Sequence, residues 1–200
     1  KINDKKAGSF GDVAGTSFFP AKPLGCYGDG GAIFTNNDEL AHKMKSIRVH
    51  GGGVDKYENV RFGINGRLDT VQAAILLEKI KIFDAELKLR NRVADYYTQN
   101  INKVFISPHV PDKYFSSWAQ YSVVLPESIN RYELMEKLNK NEIPSMVYYK
   151  IPNHLQEGYS KFGNKQGDFK VSEDISKKIL SLPLHPYLDE SSQDKVINLL

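Results

Sequence analysis

One long stretch of helical periodicity sets the outline of this chain. From Asp69-Thr70-Val71-Gln72 onward, apolar residues at Leu76, Ile80, Phe83 and Leu87 return at steps of three and four, the spacing that lines one face of a helix, and the pattern reaches about Asn100. A helix of that extent links two domains, so we divide the chain into residues 1–100 and 101–200. Ahead of it, residues 12–19 and 31–36 carry β-branched and aromatic residues between glycines and read as two strands flanking a loop. Asn37-Asp38-Glu39 caps a helix running to about Val49, and Gly51-Gly52-Gly53 ends it. Beyond the long helix the texture changes: residues 121–125 read as a strand, 132–139 as a helix and 145–149 as another strand, a small α+β unit. Residues 158–167, glycine-rich, polar and aromatic, read as a surface loop, and Val196-Ile197-Asn198-Leu199-Leu200 as part of an amphipathic helix with no stop signal. With Lys1 in place of a starting methionine, we read the chain as a piece of a longer protein.

Composition narrows the class of partner. The 200 residues are 40% hydrophobic and 26% charged, an ordinary globular balance with apolar material for one core or one and a half. A net charge of +3, with lysines interleaved among acids, gives no reason to expect nucleic acid or an anionic membrane, while a small anionic ligand stays open. No apolar run approaches membrane-spanning length, and Lys1-Ile2-Asn3-Asp4-Lys5-Lys6 lacks the apolar stretch of a signal peptide. The single Cys26 excludes an internal disulfide framework, which fits a cytoplasmic setting. His42 and His109 have no partner at metal-ligand spacing.

The chemistry concentrates in Ser17-Phe18-Phe19-Pro20-Ala21-Lys22-Pro23-Leu24-Gly25-Cys26-Tyr27-Gly28-Asp29-Gly30-Gly31-Ala32. Pro20 and Pro23 hold Lys22 in backbone that cannot be a regular helix, so its ammonium is aimed. A lysine amine condenses with an aldehyde when desolvation or nearby cations lower its pKa. The same pattern would also suit a lysine touching phosphate only as a point charge. Ser17 offers a hydroxyl to an anion, or is a satisfied residue at a strand end. Gly28, Gly30 and Gly31 let the backbone pass close to its neighbours, and Asp29 either offsets the charge of Lys22 or caps a turn. Asn65-Gly66 alone reads as a turn; Arg67 could clamp a carboxylate or pair with a local acid. Tyr148 and Tyr149 offer flat surface and a phenol, useful to a sugar, a base or a buried strand.

The run from Ser17 to Ala32 resembles the cofactor-lysine segment of the sugar aminotransferases of the DegT/DnrJ/EryC1/StrS family: serine, paired aromatics, proline, lysine and the Gly-Asp-Gly-Gly exit fall in that family's order. Phe62-Gly63-Ile64-Asn65-Gly66-Arg67-Leu68-Asp69-Thr70-Val71-Gln72-Ala73-Ala74 resembles a second family segment. Ile143-Pro144-Ser145-Met146-Val147-Tyr148-Tyr149-Lys150-Ile151-Pro152-Asn153-His154-Leu155-Gln156 is similar, more loosely, to the strand and loop that enter the substrate pocket. Leu182-Pro183-Leu184-His185-Pro186-Tyr187 resembles the closing motif, where His185 packs.

This resemblance implies an α/β fold of the fold type I class: the rear of the large domain with its linking helix over residues 1–100, and a small C-terminal α+β domain over residues 101–200. It implies pyridoxal 5'-phosphate (PLP), held covalently by Lys22, with Ser17 on its phosphate, and a homodimer in which Asn65 reaches the partner's cofactor phosphate. Arg67, Tyr148 and Tyr149 become substrate-binding candidates, while His154 and Gln156 are at least as well explained as supports. The implied reaction carries nitrogen from L-glutamate to a nucleotide-linked keto sugar. The tract looks most like enzymes that aminate C3 of UDP-linked uronic acids for surface polysaccharide, with C3 or C4 amination of a dTDP- or UDP-linked deoxysugar as the nearest competitor. Two other classes stand beside it. A PLP-dependent sugar dehydratase would replace the lysine by histidine, whereas Lys22 is present, and a non-catalytic binding or regulatory protein on this fold need not keep Ser17, Lys22 and Asn65 together.

Overall fold

The computed structural model describes residues 1–200, which form two compact units: Lys1–Ala85 with Pro111–Ser116, and Glu86–Val110 with Ser117–Leu200. In the first unit, β1 (Ala14–Ser17) pairs antiparallel with β2 (Gly31–Phe34), Ala14 opposite Phe34 and Ser17 opposite Gly31. Both strands are shorter than the sequence suggests: the ladder runs only from Ala14 opposite Phe34 to Ser17 opposite Gly31, where the lysine loop begins. Helix α1 (Asp38–Arg48) starts where expected: the Asn37 side chain accepts from the Leu40 N–H at 3.0 Å, with Asp38 and Glu39 in the first turn and Lys45 and Arg48 in the last.

After Val49 the chain folds back on itself. His50 and Gly51 take positive φ of 59° and 74°, which brings the glycine triplet against residues 58–65. The His50 N–H donates to the Ile64 carbonyl, the Ile64 N–H to that of Ile47 and the Gly66 N–H to that of Arg48. Helix α2 (Thr70–Asn100) then runs unbroken for 31 residues. Leu76 on the expected stripe is buried, but Ile80 is exposed, as are Ile33, Phe34, Phe62, Ile64, Val71 and Leu77. The only buried large apolar side chains of this unit are Cys26 and Leu76, and of these Cys26 alone is fully buried, so its interior is thin.

The second unit has the thicker core. β3 (Tyr121–Val124) pairs antiparallel with β4 (Ile179–Leu182), and single-residue bridges extend the two edges, Ile106 to Val124 and Met146 to Ser181. The expected strand over residues 145–149 is reduced to that one bridge. Pro144 offers no N–H, and the chain turns at residues 148–150, so only Met146 exchanges hydrogen bonds with Ser181, at 3.2 and 2.8 Å. Helix α3 (Arg131–Lys140) is capped by Asn130, which accepts from the Tyr132 N–H at 2.9 Å. Of two short 3-10 helices, Asn153–Leu155 precedes the loop expected over residues 158–167 and Glu157–Phe162 occupies its first part. Helix α4 (Lys170–Lys178) passes straight into β4, and α5 (Glu190–Ile197) stops at Asn198, so the Val196 to Leu200 pattern is helical only at its start.

Val93, Ala94 and Tyr97 of α2 meet Tyr121 and Val123 of β3, Leu138 of α3, Leu180 of β4 and Val196 of α5 in one buried cluster. Burying a leucine or valine stabilises by about 1.5–3 kcal/mol against about 1 for a helix cap, so packing rather than capping holds α3 in place. Arg131 is buried and donates to the Ser176 carbonyl at 2.6 Å and that of Ile179 at 3.3 Å, placing a cation at the C-terminal end of α4. No helix is long and apolar enough to cross a membrane.

Candidate functional site

The lysine lies on a loop with a narrow neck. The Phe18 N–H donates to the Gly30 carbonyl and the Cys26 N–H to the Phe18 carbonyl, both at 2.8 Å. Beyond the neck, Phe19-Pro20-Ala21-Lys22 forms a turn closed by the Lys22 N–H on the Phe19 carbonyl at 2.8 Å, with proline at the second position, where its fixed φ suits a turn. Lys22 is exposed, and its ammonium makes no ion pair or hydrogen bond. Five residues earlier, the Ser17 Oγ at the end of β1 accepts the Phe19 N–H at 3.2 Å, which leaves its proton available to an anion.

The glycines are spacing devices, as the sequence suggested. A Cβ on Gly25 would lie 2.6 Å from the Pro20 carbonyl oxygen, one on Gly31 2.8 Å from that of Thr16, one on Gly30 2.9 Å from Leu68 Cδ1, and one on Gly28 2.9 Å from Gln72 Nε2. Asp29 is exposed and makes neither the ion pair with Lys22 nor the turn cap weighed for it. Cys26 is fully buried, its Sγ 3.0 Å from the Phe18 carbonyl oxygen and 3.1 Å from that of Gly28.

Asn65 and Arg67 sit on the other loop of this unit, the one folded against the end of α1. Asn65 bridges Val49, and both side chains are exposed and unpaired. No hydrogen bond joins them to Ser17 or Lys22, so the first unit carries two separate clusters of candidate residues. Tyr148 and Tyr149 belong to the second unit, their rings edge-to-face with centroids 5.4 Å apart, on the wall of a 500 Å³ cavity shared with Pro152, His154, Phe169 and Ile175.

His154 supports that wall. Its Nε2 lies 3.0 Å from Glu173 Oε1, and its ring is 4.7 Å from Phe169. Glu173 also accepts the Gly167 N–H at 2.8 Å and the Phe169 N–H at 3.3 Å. Burial pushes the Glu173 carboxyl up, but these donors together outweigh it and hold the pKa below the usual 4.5. Gln156 donates to the Ile151 carbonyl at 3.4 Å, and the His185 Nδ1 accepts the Tyr187 N–H at 3.2 Å. Sequence reasoning passed over Gln72 and Lys79 of α2, which touch the lysine loop: the Gln72 Oε1 accepts the Tyr27 N–H at 2.8 Å, and the Lys79 Nζ donates to the Gly25 carbonyl. Two polar residues seven apart, Gln72 in the first turn of the helix and Lys79 two turns on, beside the apolar stripe were the available signal.

The donor set suits an anionic aldehyde such as PLP. A free amine on a short loop whose glycines remove bulk, and a hydroxyl with its proton to spare at the strand end that leads into it, offer one group for the aldehyde and the other for the phosphate.

Comparison with known proteins gives the family. The family model described as the DegT/DnrJ/EryC1/StrS aminotransferase family matches residues 1–200. The UDP-2-acetamido-2-deoxy-3-oxo-D-glucuronate aminotransferase of Pseudomonas aeruginosa is 42% identical over 189 residues, 94% of this chain and 51% of that protein. A pleiotropic regulatory protein of Geobacillus stearothermophilus is 40% identical, covering 98% of this chain and 53% of its own length. The crystal structure of a DegT DnrJ EryC1 StrS aminotransferase from Brucella abortus superposes with a TM-score of 0.93 at 48% identity, covering 100% of this chain and 52% of that one. The chain thus spans about half the length of the curated relatives it matches. With its whole length matched and its backbone superposing closely on the C-terminal part of a fold type I aminotransferase, this chain belongs to the DegT/DnrJ/EryC1/StrS aminotransferase family.

Proposed function

We propose that the protein to which this chain belongs is a PLP-dependent aminotransferase that moves the amino group of L-glutamate to a nucleotide-linked keto sugar, a UDP-linked 3-keto uronic acid, in the synthesis of a surface glycan. The observation that carries the reading is Lys22, exposed on a proline-shaped turn with an unpartnered amine, five residues from the Ser17 hydroxyl. The relative from Pseudomonas aeruginosa supports the choice of sugar.

When bound, PLP supplies an aldehyde that takes up the donor's nitrogen and a ring that draws electrons from the adjacent carbon. The Lys22 Nζ would anchor the cofactor through its aldehyde group and, when free, would carry a proton between the donor's α-carbon and the cofactor. In the second half-reaction it moves a proton the opposite way, onto the sugar carbon that gains the amine. The Ser17 Oγ–H donates to the phosphate, and the amide N–H groups of Asn65 donate to the phosphate held by a partner subunit in a homodimer. Arg67 takes the carboxylate of glutamate or of the uronic acid through two parallel N–H donors, and the Tyr148 and Tyr149 rings face the sugar or base.

Borohydride reduction of the full-length protein with PLP, followed by peptide mass mapping, tests the assignment. A pyridoxyl adduct on Lys22 is the expected result. Glutamate and a panel of keto-sugar nucleotides, read by product mass, then separate the uronic acid from dTDP- or UDP-linked deoxysugars. The relative named as a regulatory protein favours a non-catalytic reading as the alternative, and that reading gives no adduct.

A further inference from the structure

We propose that Gln72 and Lys79 are positioning residues that set the height of the Lys22 loop, an inference that rests on the reading of Lys22 as the cofactor's anchor. The far half of this loop has no strand to pair with. What fixes it is α2. The Tyr27 N–H is taken by the Gln72 Oε1 at 2.8 Å, and the Gly25 carbonyl receives the ammonium of Lys79. One helix side chain accepts and the other donates, so both polar groups of this short stretch are held from the same element. The two residues are seven apart, two helical turns, so they project from one face of α2.

Other contacts tighten the clamp. The Lys79 ammonium also lies 5.8 Å from the centre of the Tyr27 ring, within cation–π reach. Between the two held groups, Cys26 is fully buried with its thiol against the Phe18 and Gly28 carbonyls. Gly28 lets the Gln72 amide approach where a Cβ would stand 2.9 Å from Nε2. Residues 25–27 therefore cannot rise or slide without breaking several bonds at once, one of them charge-assisted and about twice as strong as a neutral one.

The consequence falls on Lys22, three residues before Gly25. Ser17 is fixed at the end of β1 and Lys22 hangs from the loop, so the loop's height sets the separation between phosphate ligand and amine. A shift of about 1 Å at such a group costs about a hundredfold in rate. Neither Gln72 nor Lys79 needs to touch cofactor or substrate to have this effect.

The test uses the full-length holoenzyme and paired variants: Gln72→Leu and Lys79→Met remove the bonds, Gln72→Glu and Lys79→Arg keep an acceptor and a donor. Expected for each removal variant is cofactor release about five- to tenfold faster on dilution. The pH at which the visible absorption of the bound cofactor titrates should move by about half a unit. Hydrogen exchange at the Tyr27 amide should quicken in Gln72→Leu, and the conservative variants should return these readings toward wild type. Folded removal variants with unmoved release rate and titration midpoint overturn the proposal. Should Gln72→Leu fail to fold, Lys79→Met decides, since its stem is partly exposed. A wild-type protein with no borohydride adduct on Lys22 sinks the functional reading and this inference together; an adduct with unmoved variants sinks the positioning role alone.

Discussion

Gly63→Ala separates a local from a global role for the loop that carries Asn65. A Cβ at Gly63 would collide with the Gly51 nitrogen and the His50 carbonyl carbon and stand 2.7 Å from the Ile47 carbonyl oxygen. All three are backbone atoms, which cannot swing aside. Room is made by lifting residues 62–66 off residues 47–51, which breaks Ile64 N–H to Ile47 at 2.8 Å, His50 N–H to Ile64 at 3.0 Å and Gly66 N–H to Arg48 at 2.8 Å. At about 1 kcal/mol net per bond, the loop loses about 2–3 kcal/mol. Residues 61–67 are exposed throughout, so lifting them uncovers little apolar surface and the rest of the unit has no reason to follow. Hydrogen exchange on the full-length protein should show the Ile64 and Gly66 amides exchanging roughly 30- to 150-fold faster, with α2 unaffected. Gly158→Ala is the control, since nothing lies within 4 Å of its would-be Cβ. Unchanged exchange at Ile64 in Gly63→Ala would refute the argument from close approach. If Asn65 serves a cofactor phosphate, the same variant also releases PLP faster.

Lys22→Ala in the full-length protein should keep its melting temperature, because the side chain is exposed, while losing the borohydride adduct and amino transfer; transfer at the wild-type rate would end the catalytic assignment. Tyr97 is fully buried with a hydroxyl that finds no partner, and burial drives its pKa far up, so Tyr97→Phe should be neutral or stabilise by up to about 1 kcal/mol in a thermal melt. Tyr121→Phe should destabilise by about 1 kcal/mol, since that hydroxyl lies 2.8 Å from Thr98 Oγ1. The pKa of Glu173 is lowered on folding, so its contribution is complete above the usual 4.5 and is lost as pH falls below that through the folded value. Melting temperatures should therefore fall more steeply below pH 4.5 in wild type than in Glu173→Gln; parallel curves would contradict the role given to its donors.

Helices α1 and α2 were legible because each has a local cause: Asn37 caps one, and Leu76, Phe83 and Leu87 repeat along the other. The lysine turn was legible for the same reason, its prolines acting on their own neighbours. What escaped depended on distant partners. Nothing in Ile179-Leu180-Ser181-Leu182 announces a strand directly after a helix, and it becomes one because β3 waits with Val123 and Tyr121 facing the core. Conversely, Tyr148 and Tyr149 favour a strand by type, yet beyond Met146 there is no neighbouring edge to receive them. In the site, Gln72 and Lys79 were invisible as partners of the loop because the residues they hold lie 45 and 54 positions away.

Neither unit is made from one continuous stretch of chain. Residues 111–116 return to the first after 86–110 have entered the second, and they tie to its beginning through the Asn3 N–H on the Lys113 carbonyl and the Phe115 N–H on that of Lys1. During synthesis on the ribosome, then, the earlier-made part stays without its closing strap until the long helix and the turn beyond it have emerged. A nascent chain stalled before residue 113 would hold that edge open to whatever chaperone or stray strand met it first.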